Sequence, residues 1–205
     1  MDRGAQIGPP AEALALAIFD IGAVRLGSFR LHAGRTSPIY LDLRLLPSHP
    51  AALRQAAGAY AGLLRGLDFE LIAAAPLAGL PLGTAVALAL DVPLIYPRPA
   101  PKAYGAGKRI EGAWRPGQRV VLLDDVITSG ASLLEAAGAL RAAGLVVLDA
   151  AVLVDRGQGG QAALAAEGLA LHSALSLAQL LALLEDRGRI TAGQRAQVLA
   201  AMAAG

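Results

Sequence analysis

The middle of the chain alternates short apolar runs with segments of helical spacing, and this alternation most constrains the fold. The apolar runs cover residues 71–75, 92–96, 119–123 and 146–154, with helical patterns at 79–90 and 132–143. Strands that are buried on both faces do not alternate in polarity, so such runs indicate a parallel sheet with helices on each side. The sequence therefore predicts an α/β fold with a central, mainly parallel sheet flanked by helices.

The two ends of the chain predict smaller units around this sheet. Residues 11–24 have helical spacing, and residues 29–31 and 39–43 alternate as short strands. We therefore expect residues 1–45 to form a small N-terminal hood, and residues 176–205 to form two C-terminal helices. Three hydroxyl side chains are predicted to cap helices, namely Ser48, Ser176 and Thr191.

A long segment between two of the apolar runs has no clear period. Residues 97–118 are rich in Pro, Gly, Lys and Arg. Loops of this length in compact domains are usually lids over a site or disordered segments. The sequence alone leaves both interpretations open, and the first of them predicts a mobile catalytic loop.

Composition excludes several classes of protein. A chain of 205 residues fits one domain, residues 1–205. The absence of cysteine excludes a disulfide framework and a thiol nucleophile, and it favours the cytoplasm. The net charge is only +2 and no basic run alternates with aromatics, so we expect a small anionic ligand and no nucleic acid. No apolar run reaches the roughly 18 residues that span a bilayer, so no membrane segment is expected.

The strongest chemical signal is the segment 120–132, which reads VVLLDDVITSGAS. A buried strand brings Asp124 and Asp125 to its carboxyl end, where ligands of open parallel sheets bind. Backbone N–H groups and hydroxyls of the Thr-Ser-Gly turn suit a phosphate, and two carboxylates suit ribose hydroxyls and a hydrated magnesium ion (Mg2+). The alternative is that the acids only cap the following helix, which would need one carboxylate rather than two. The segment therefore predicts a site for a sugar phosphate.

The same segment resembles the phosphoribosyl-diphosphate motif of type I phosphoribosyltransferases. The rest of the chain is similar to the orotate phosphoribosyltransferase family, in particular to the form found as the first domain of bifunctional UMP synthases. The supporting stretches are residues 29–34, 37–44, 75–82, 102–112 and 154–160, and the likeness covers roughly residues 12–185.

The resemblance implies a reaction of orotate with phosphoribosyl diphosphate (PRPP) and Mg2+ to give orotidine monophosphate and diphosphate, in a homodimer with shared active sites. It implies catalytic roles for Lys102, Asp124 and Asp125. The implied PRPP-binding residues are Arg98, Lys102, Tyr104, Asp124, Asp125, Val126, Ile127, Thr128, Ser129, Gly130, Ala131 and Ser132. The implied orotate-binding residues are His32, Ile39, Tyr40, Thr128 and Arg156.

Three positions depart from the family pattern. The family commonly has Lys at the position of His32, Lys at that of Pro99 and Glu at that of Asp124. A proline supplies no positive charge, and a neutral imidazole is a weaker partner for a carboxylate than an ammonium group. The alternatives to an orotate enzyme are therefore a phosphoribosyltransferase for another base and a regulator that binds PRPP without turnover. The chain also ends before a decarboxylase domain could begin, so we expect it to act alone.

Overall fold

The computed structural model describes residues 9–30, 36–98 and 109–203. Within these ranges the chain forms seven α-helices, eight strands and one 3-10 helix, at Leu43–Ser48. The helices are α1 (Pro9–Asp20), α2 (Pro50–Leu64), α3 (Gly79–Leu90), α4 (Ala131–Ala142), α5 (Gly160–Ala166), α6 (Leu177–Asp186) and α7 (Ala192–Ala203). The strands are β1 (Val24–Arg30), β2 (Thr36–Leu41), β3 (Leu71–Ala74), β4 (Leu94–Pro97), β5 (Ile110–Glu111), β6 (Arg119–Ile127), β7 (Val146–Asp155) and β8 (Ala170–Ser176).

Six of these strands form the central sheet, in the order β5-β4-β3-β6-β7-β8. All neighbouring pairs are parallel except β4 and β5, which are antiparallel. The longest strands, β6 and β7, lie next to each other near the centre, and residues 120–124 of β6 are buried. The predicted α/β class with a mainly parallel sheet is therefore confirmed.

Two hydrophobic cores cover the two faces of the sheet. Val121 and Leu123 of β6 pack into one core together with helices α1, α2, α3, α6 and α7. Val120 and Leu122 point to the opposite face and pack with α4 and α5. Successive side chains of a strand point to opposite faces, so a strand with cores on both faces is apolar at every position.

Strands β1 and β2 form a separate two-stranded antiparallel sheet. Val24 and Ile39 from this small sheet belong to the same core as Leu180 and Val198 of the two C-terminal helices. The predicted N-terminal and C-terminal units therefore pack against each other on one face of the central sheet.

Several predicted boundaries are wrong. The first helix ends at Asp20, because Gly22 has φ 76° and the chain then enters β1. Ser48 is the last residue of the 3-10 helix and does not cap α2. The N-cap residue of α2 is His49, whose side chain makes no capping hydrogen bond. The caps at Ser176 and Thr191 are confirmed, since each hydroxyl accepts an N–H bond from the third following residue, at 3.2 Å.

Four elements were not predicted from the sequence. Helix α5 is only seven residues long, the 3-10 helix has six residues, β8 is an edge strand that mixes polar and apolar residues, and β5 lies inside the segment predicted as loop 97–118. Two residues of β5 pair with β4, so the predicted loop is shorter at its carboxyl end. In the part of the chain that the structure describes, no helix has the length and apolar composition needed to cross a membrane.

Candidate active site

The acid pair Asp124 and Asp125 lies near the carboxyl end of β6. The Oδ1 atom of Asp124 accepts the backbone N–H of Asp125 at 2.9 Å, and Oδ1 of Asp125 accepts the N–H of Val126 at 2.8 Å. Asp124 is only 8% exposed and Asp125 is half-buried. Both carboxylates are thus fixed to the main chain of the strand that carries them.

Burial changes the proton affinity of both acids. It raises the pKa of Asp124 to about 7, and the negative charge of Asp125 adds to the rise. Burial also raises the pKa of Asp125, while the N–H bond from Val126 and the positive charge of Arg44 oppose the shift. A ligand that supplies hydrogen-bond donors or a cation would therefore relieve an unfavourable pair of buried charges.

The bend after β6 and the first residue of the acid pair, Asp124, line one cavity. A cavity of about 100 Å³ is lined by Asp124 and by residues 126–133. Thr128, Ser129 and Ser132 are exposed, and α4 begins at Ala131. The free amides of a helix start and three hydroxyls therefore surround a space that also reaches a carboxylate, which suits an anionic group attached to a polyol.

Gly130 is required at this bend for two reasons. Its φ of 84° lies in the left-handed region, which side chains rarely adopt. A Cβ atom there would lie 2.5 Å from Cδ1 of Leu164 and 3.4 Å from the carbonyl oxygen of Gly160. The bend therefore packs directly on α5, and its close approach to that helix depends on the glycine.

A second cavity of about 120 Å³ adjoins the first through Ser132. Its lining includes Pro76, Arg98, Arg109 and Glu135. The guanidinium of Arg98 forms an ion pair with Glu111 at 2.7 Å, and the Arg98 N–H donates to the carbonyl of Arg109 at 2.8 Å. Both ends of the segment 99–108 are therefore joined beside this cavity.

Arg156 follows β7 and lies beside the end of β6, where its N–H donates to the Ile127 carbonyl at 3.1 Å. Burial lowers the pKa of its guanidinium. Nη2 contacts the sulfur of Met202 on α7 at 3.7 Å, and Nε has no hydrogen-bond partner among the described residues. A half-buried guanidinium with only a thioether contact can therefore bind an anion.

Strand β2 carries Tyr40. Its hydroxyl accepts a bond from Nη2 of Arg44 at 2.9 Å, and its ring lies 5.5 Å from the ring of Phe29. The guanidinium of Arg25 lies 5.0 Å above the Tyr40 ring. Aromatic and cationic groups therefore cluster on the small sheet.

The comparisons with known proteins agree with this geometry. The family model for the phosphoribosyl transferase domain matches residues 47–166. The orotate phosphoribosyltransferase of Cenarchaeum symbiosum is 45% identical, over 74% of this chain and 78% of that protein. The chain belongs to the orotate phosphoribosyltransferases, within the phosphoribosyltransferase family.

Two solved structures extend the comparison. UMP synthase of Leishmania donovani superposes with a TM-score of 0.87 at 42% identity, covering 97% of this chain and 43% of that one. Orotate phosphoribosyltransferase of Mycobacterium tuberculosis in complex with PRPP gives a TM-score of 0.71 at 32% identity, covering 84% and 99%. The chain spans 38% of the length of the bifunctional curated relatives that it matches.

Within this phosphoribosyltransferase fold, the residues expected to bind PRPP fall into two groups. The structure brings together Asp124, residues 126–132 and, in the adjoining cavity, Arg98. Asp125 is next to them on β6. Lys102 and Tyr104 lie outside the described residues.

The residues expected to bind orotate are more scattered. Thr128 lies at the bend and Arg156 beside it, while Tyr40 is half-buried on β2. Ile39 is 1% exposed and its side chain belongs to the main core, so this residue is buried in the structure. His32 lies outside the described residues.

Two residues near the site were given no role from the sequence. Arg44 is held by Asp42 at 2.6 Å and by Tyr40, and its charge acts on Asp125. Tyr60 donates its hydroxyl to the carbonyl of Asp124 from helix α2. Helical spacing identifies Tyr60 only as a core residue, because periodicity does not show where a hydroxyl group points.

Proposed function

We propose that the chain is an orotate phosphoribosyltransferase, which transfers the phosphoribosyl group of PRPP to orotate for UMP synthesis. In this reaction the bond from the anomeric carbon to the diphosphate oxygen breaks, and the diphosphate leaves with the electron pair. A ring nitrogen of orotate loses its proton to the solvent or to the leaving diphosphate and forms the new bond to the anomeric carbon, giving orotidine 5'-monophosphate. The single observation that carries the proposal is the cavity shared by Asp124 and the bend 126–132.

In this proposal the bend holds the 5'-phosphate. Backbone N–H groups and hydroxyls from Thr128 to Ser132 would donate to the phosphate oxygens. Asp124 and Asp125 would accept hydrogen bonds from the two ribose hydroxyls, because ionised carboxylates are strong acceptors. The buried position of the acids makes these bonds stronger than they would be in water.

The diphosphate would lie toward the second cavity. Arg98, Lys102 and Tyr104 are the proposed contacts, and fixed positive charge there stabilises the leaving diphosphate as its charge grows. Arg98 pairs with Glu111 in the free protein. We expect the diphosphate to compete with Glu111 for this guanidinium, while Lys102 arrives on a loop that closes over the site.

The base would bind on the other side of the ribose. Arg156 is the proposed partner of the orotate carboxylate, because its guanidinium is half-buried and Nε has no partner among the described residues. Thr128, Tyr40, Ile39 and His32 complete the proposed base site. A bidentate pair of Arg with a carboxylate gives both energy and orientation.

Magnesium fits the donor set through the substrate. In residues 9–30, 36–98 and 109–203, no three His, Asp or Glu side chains cluster at metal-binding distance. Asp124 and Asp125 would hold a hydrated Mg2+ together with PRPP, and the ion supplies charge neutralisation for the diphosphate. A homodimer with shared active sites and a cytoplasmic location are part of the same proposal, and they rest on the family resemblance.

The test is spectrophotometric. Orotate absorbance should fall when PRPP and Mg2+ are added to the wild-type protein, and diphosphate should appear in equal amount. Unchanged absorbance together with calorimetric binding of PRPP would instead support a regulator without turnover. Release of diphosphate with uracil or a purine, and not with orotate, would support a transferase for another base.

A further inference from the structure

Tyr60 is a fully buried phenol on helix α2, directly beside the acid pair. It is 0% exposed and among the largest side chains buried in the core. Its hydroxyl donates to the backbone carbonyl of Asp124, across 64 residues of sequence. The proposed function gives this residue no task.

The contact lies where β6 loses its regular pairing. On one side β3 ends at Ala74, which pairs with Leu123 of β6. On the other side the register with β7 pairs Asp124 with Val152 and Val126 with Val154, and it leaves Asp125 unpaired among the described residues. Asp125 therefore lies at a gap in the β6–β7 pairing, just beyond the last residue of β6 that pairs with β3.

The hydrogen bonds of the acid pair are local. The N–H groups of Asp125 and Val126 donate to the carboxylate of the residue before each of them, rather than to a neighbouring strand. Such bonds fix each carboxylate relative to its own main chain. Pairs with β7 on both sides of Asp125 hold that main chain in the sheet, and a contact from another layer would restrict it further at Asp124.

The phenol of Tyr60 supplies such a contact from the helix layer. Burial raises the pKa of Tyr60 well above its usual value, and the charges of Asp125 and Asp124 add to the rise. A hydrogen bond with the backbone of Leu153 on β7 opposes it. The hydroxyl thus lies between β6 and β7 and stays protonated, as a donor to the Asp124 carbonyl must.

We infer that Tyr60 is a positioning residue for the sugar-phosphate site, whose hydroxyl holds the end of β6 so that the two carboxylates meet the ribose. The inference rests on the proposed function, since it concerns the PRPP site. It does not depend on which base the protein uses. Tyr60 acts through the Asp124 backbone and touches no substrate.

The variant Tyr60→Phe removes one oxygen atom and keeps the ring in the core. PRPP binding, measured by calorimetry with Mg2+ and without orotate, should weaken about tenfold, because a buried carbonyl loses its donor and the strand end can shift. In the steady state KM for PRPP should rise by a similar factor, while KM for orotate and kcat should change less than about threefold.

Leu64→Ala is the matched control. Leu64 is 3% exposed on the same helix, one turn further on, so the variant destabilises the core without removing a polar contact to Asp124. We expect a lower melting temperature and unchanged PRPP affinity. A Tyr60→Phe protein that behaves the same way, with stability lost and affinity kept, would show a purely structural role.

The outcomes separate the inference from the proposed function. Wild-type protein that binds PRPP with the same affinity as Tyr60→Phe would overturn the inference and leave the function intact. Wild-type protein that binds no PRPP would overturn both. A selective loss of PRPP affinity in Tyr60→Phe supports the inference even if orotate proves to be the wrong base.

Discussion

The proposed sugar-phosphate side and the proposed base side of the site are built in different ways. The first consists of consecutive residues, Asp124 to Ser132, on one strand, one bend and one helix start. The second combines Tyr40 from β2, Arg156 after β7 and Met202 from α7, which are more than 150 residues apart at their extremes. One side is fixed by local backbone geometry, and the other by the packing of distant elements.

Substitutions on the two sides should therefore affect different substrates. The bend is held in the central sheet and against α5, so changes there, at residues other than Thr128, should affect the phosphate and ribose. Arg156 depends on the contact between α7 and the end of β7, so changes there should affect the base. If the two sides are independent, a substitution should change either the affinity for PRPP or the affinity for orotate, but not both.

The largest effect is expected for the double variant Asp124→Asn with Asp125→Asn. Two charged acceptors of the ribose hydroxyls become neutral, and each charged hydrogen bond is worth about 1.5 to 3 kcal/mol. We expect kcat/KM for PRPP to fall about 1000-fold and calorimetric binding of PRPP to be lost. Circular dichroism should confirm that the variant is folded. A folded variant with near wild-type PRPP affinity would contradict the proposal that the two acids bind the ribose.

The next effect concerns the base side alone. Arg156→Gln removes the charge proposed to meet the orotate carboxylate, so KM for orotate should rise about 50-fold. Calorimetric affinity for PRPP without orotate should stay unchanged. The control is Arg195→Gln, since Arg195 also has a buried Nε without a partner among the described residues but pairs with Glu185 at 3.0 Å. A parallel loss of PRPP affinity in Arg156→Gln would show that the two sides are coupled.

A smaller effect is expected from the shape of the bend. Gly130→Ala places a Cβ atom against Leu164 at a φ that disfavours it, so PRPP affinity should fall about tenfold and stability by about 1 to 2 kcal/mol. Gly138→Ala on α4 is the control, because no atom lies within 4 Å of its Cβ position. That variant should gain up to about 1 kcal/mol in urea unfolding. If the two variants have the same PRPP affinity and the same stability, the proposed role of Gly130 in shaping the bend is wrong.

The smallest effect is a pH dependence of stability in the free protein. The pKa of Asp124 is raised from 3.8 to about 7, so the folded state holds a proton that the unfolded state releases between these values. The contribution to stability is therefore full below about pH 4 and is lost as the pH rises through about 7. From pH 5 upward, wild-type protein should lose about 2 to 3 kcal/mol of unfolding free energy, at about 1.4 kcal/mol per pH unit up to pH 7.

Urea unfolding at pH 5 and pH 8 measures this loss. Asp124→Asn carries no titrating group at this position and should show a smaller difference between the two pH values. Asp91→Asn, at an exposed acid after α3, should behave as the wild type. A wild-type protein that is more stable at pH 8 than at pH 5 would contradict the claim that burial raises the pKa of Asp124.

The sequence predicted the sheet well, and it predicted the strand, bend and helix around residues 119–142, for physical reasons. Strands buried on two faces, such as 119–123, are apolar at every position, and a strand followed by Asp-Asp and Thr-Ser-Gly has few other uses. The predicted fold class and family are confirmed. Residue-by-residue roles at the site stay predictions.

Other features could not be predicted because they depend on tertiary packing. Short or weakly apolar elements such as α5 and β8 have no clear period, and two-residue β5 is defined only by pairing with β4. The Tyr60 hydroxyl and the thioether of Met202 reach the site from other elements. Local sequence contains no signal for either contact.

A crystal structure with PRPP and Mg2+ tests the central claim most directly. We predict that the 5'-phosphate oxygens lie about 2.7 to 3.2 Å from backbone nitrogens between Thr128 and Ser132, with ribose hydroxyls on Asp124 and Asp125. A PRPP molecule bound elsewhere, with both carboxylates turned from the sugar and the bend free of phosphate, would contradict the account.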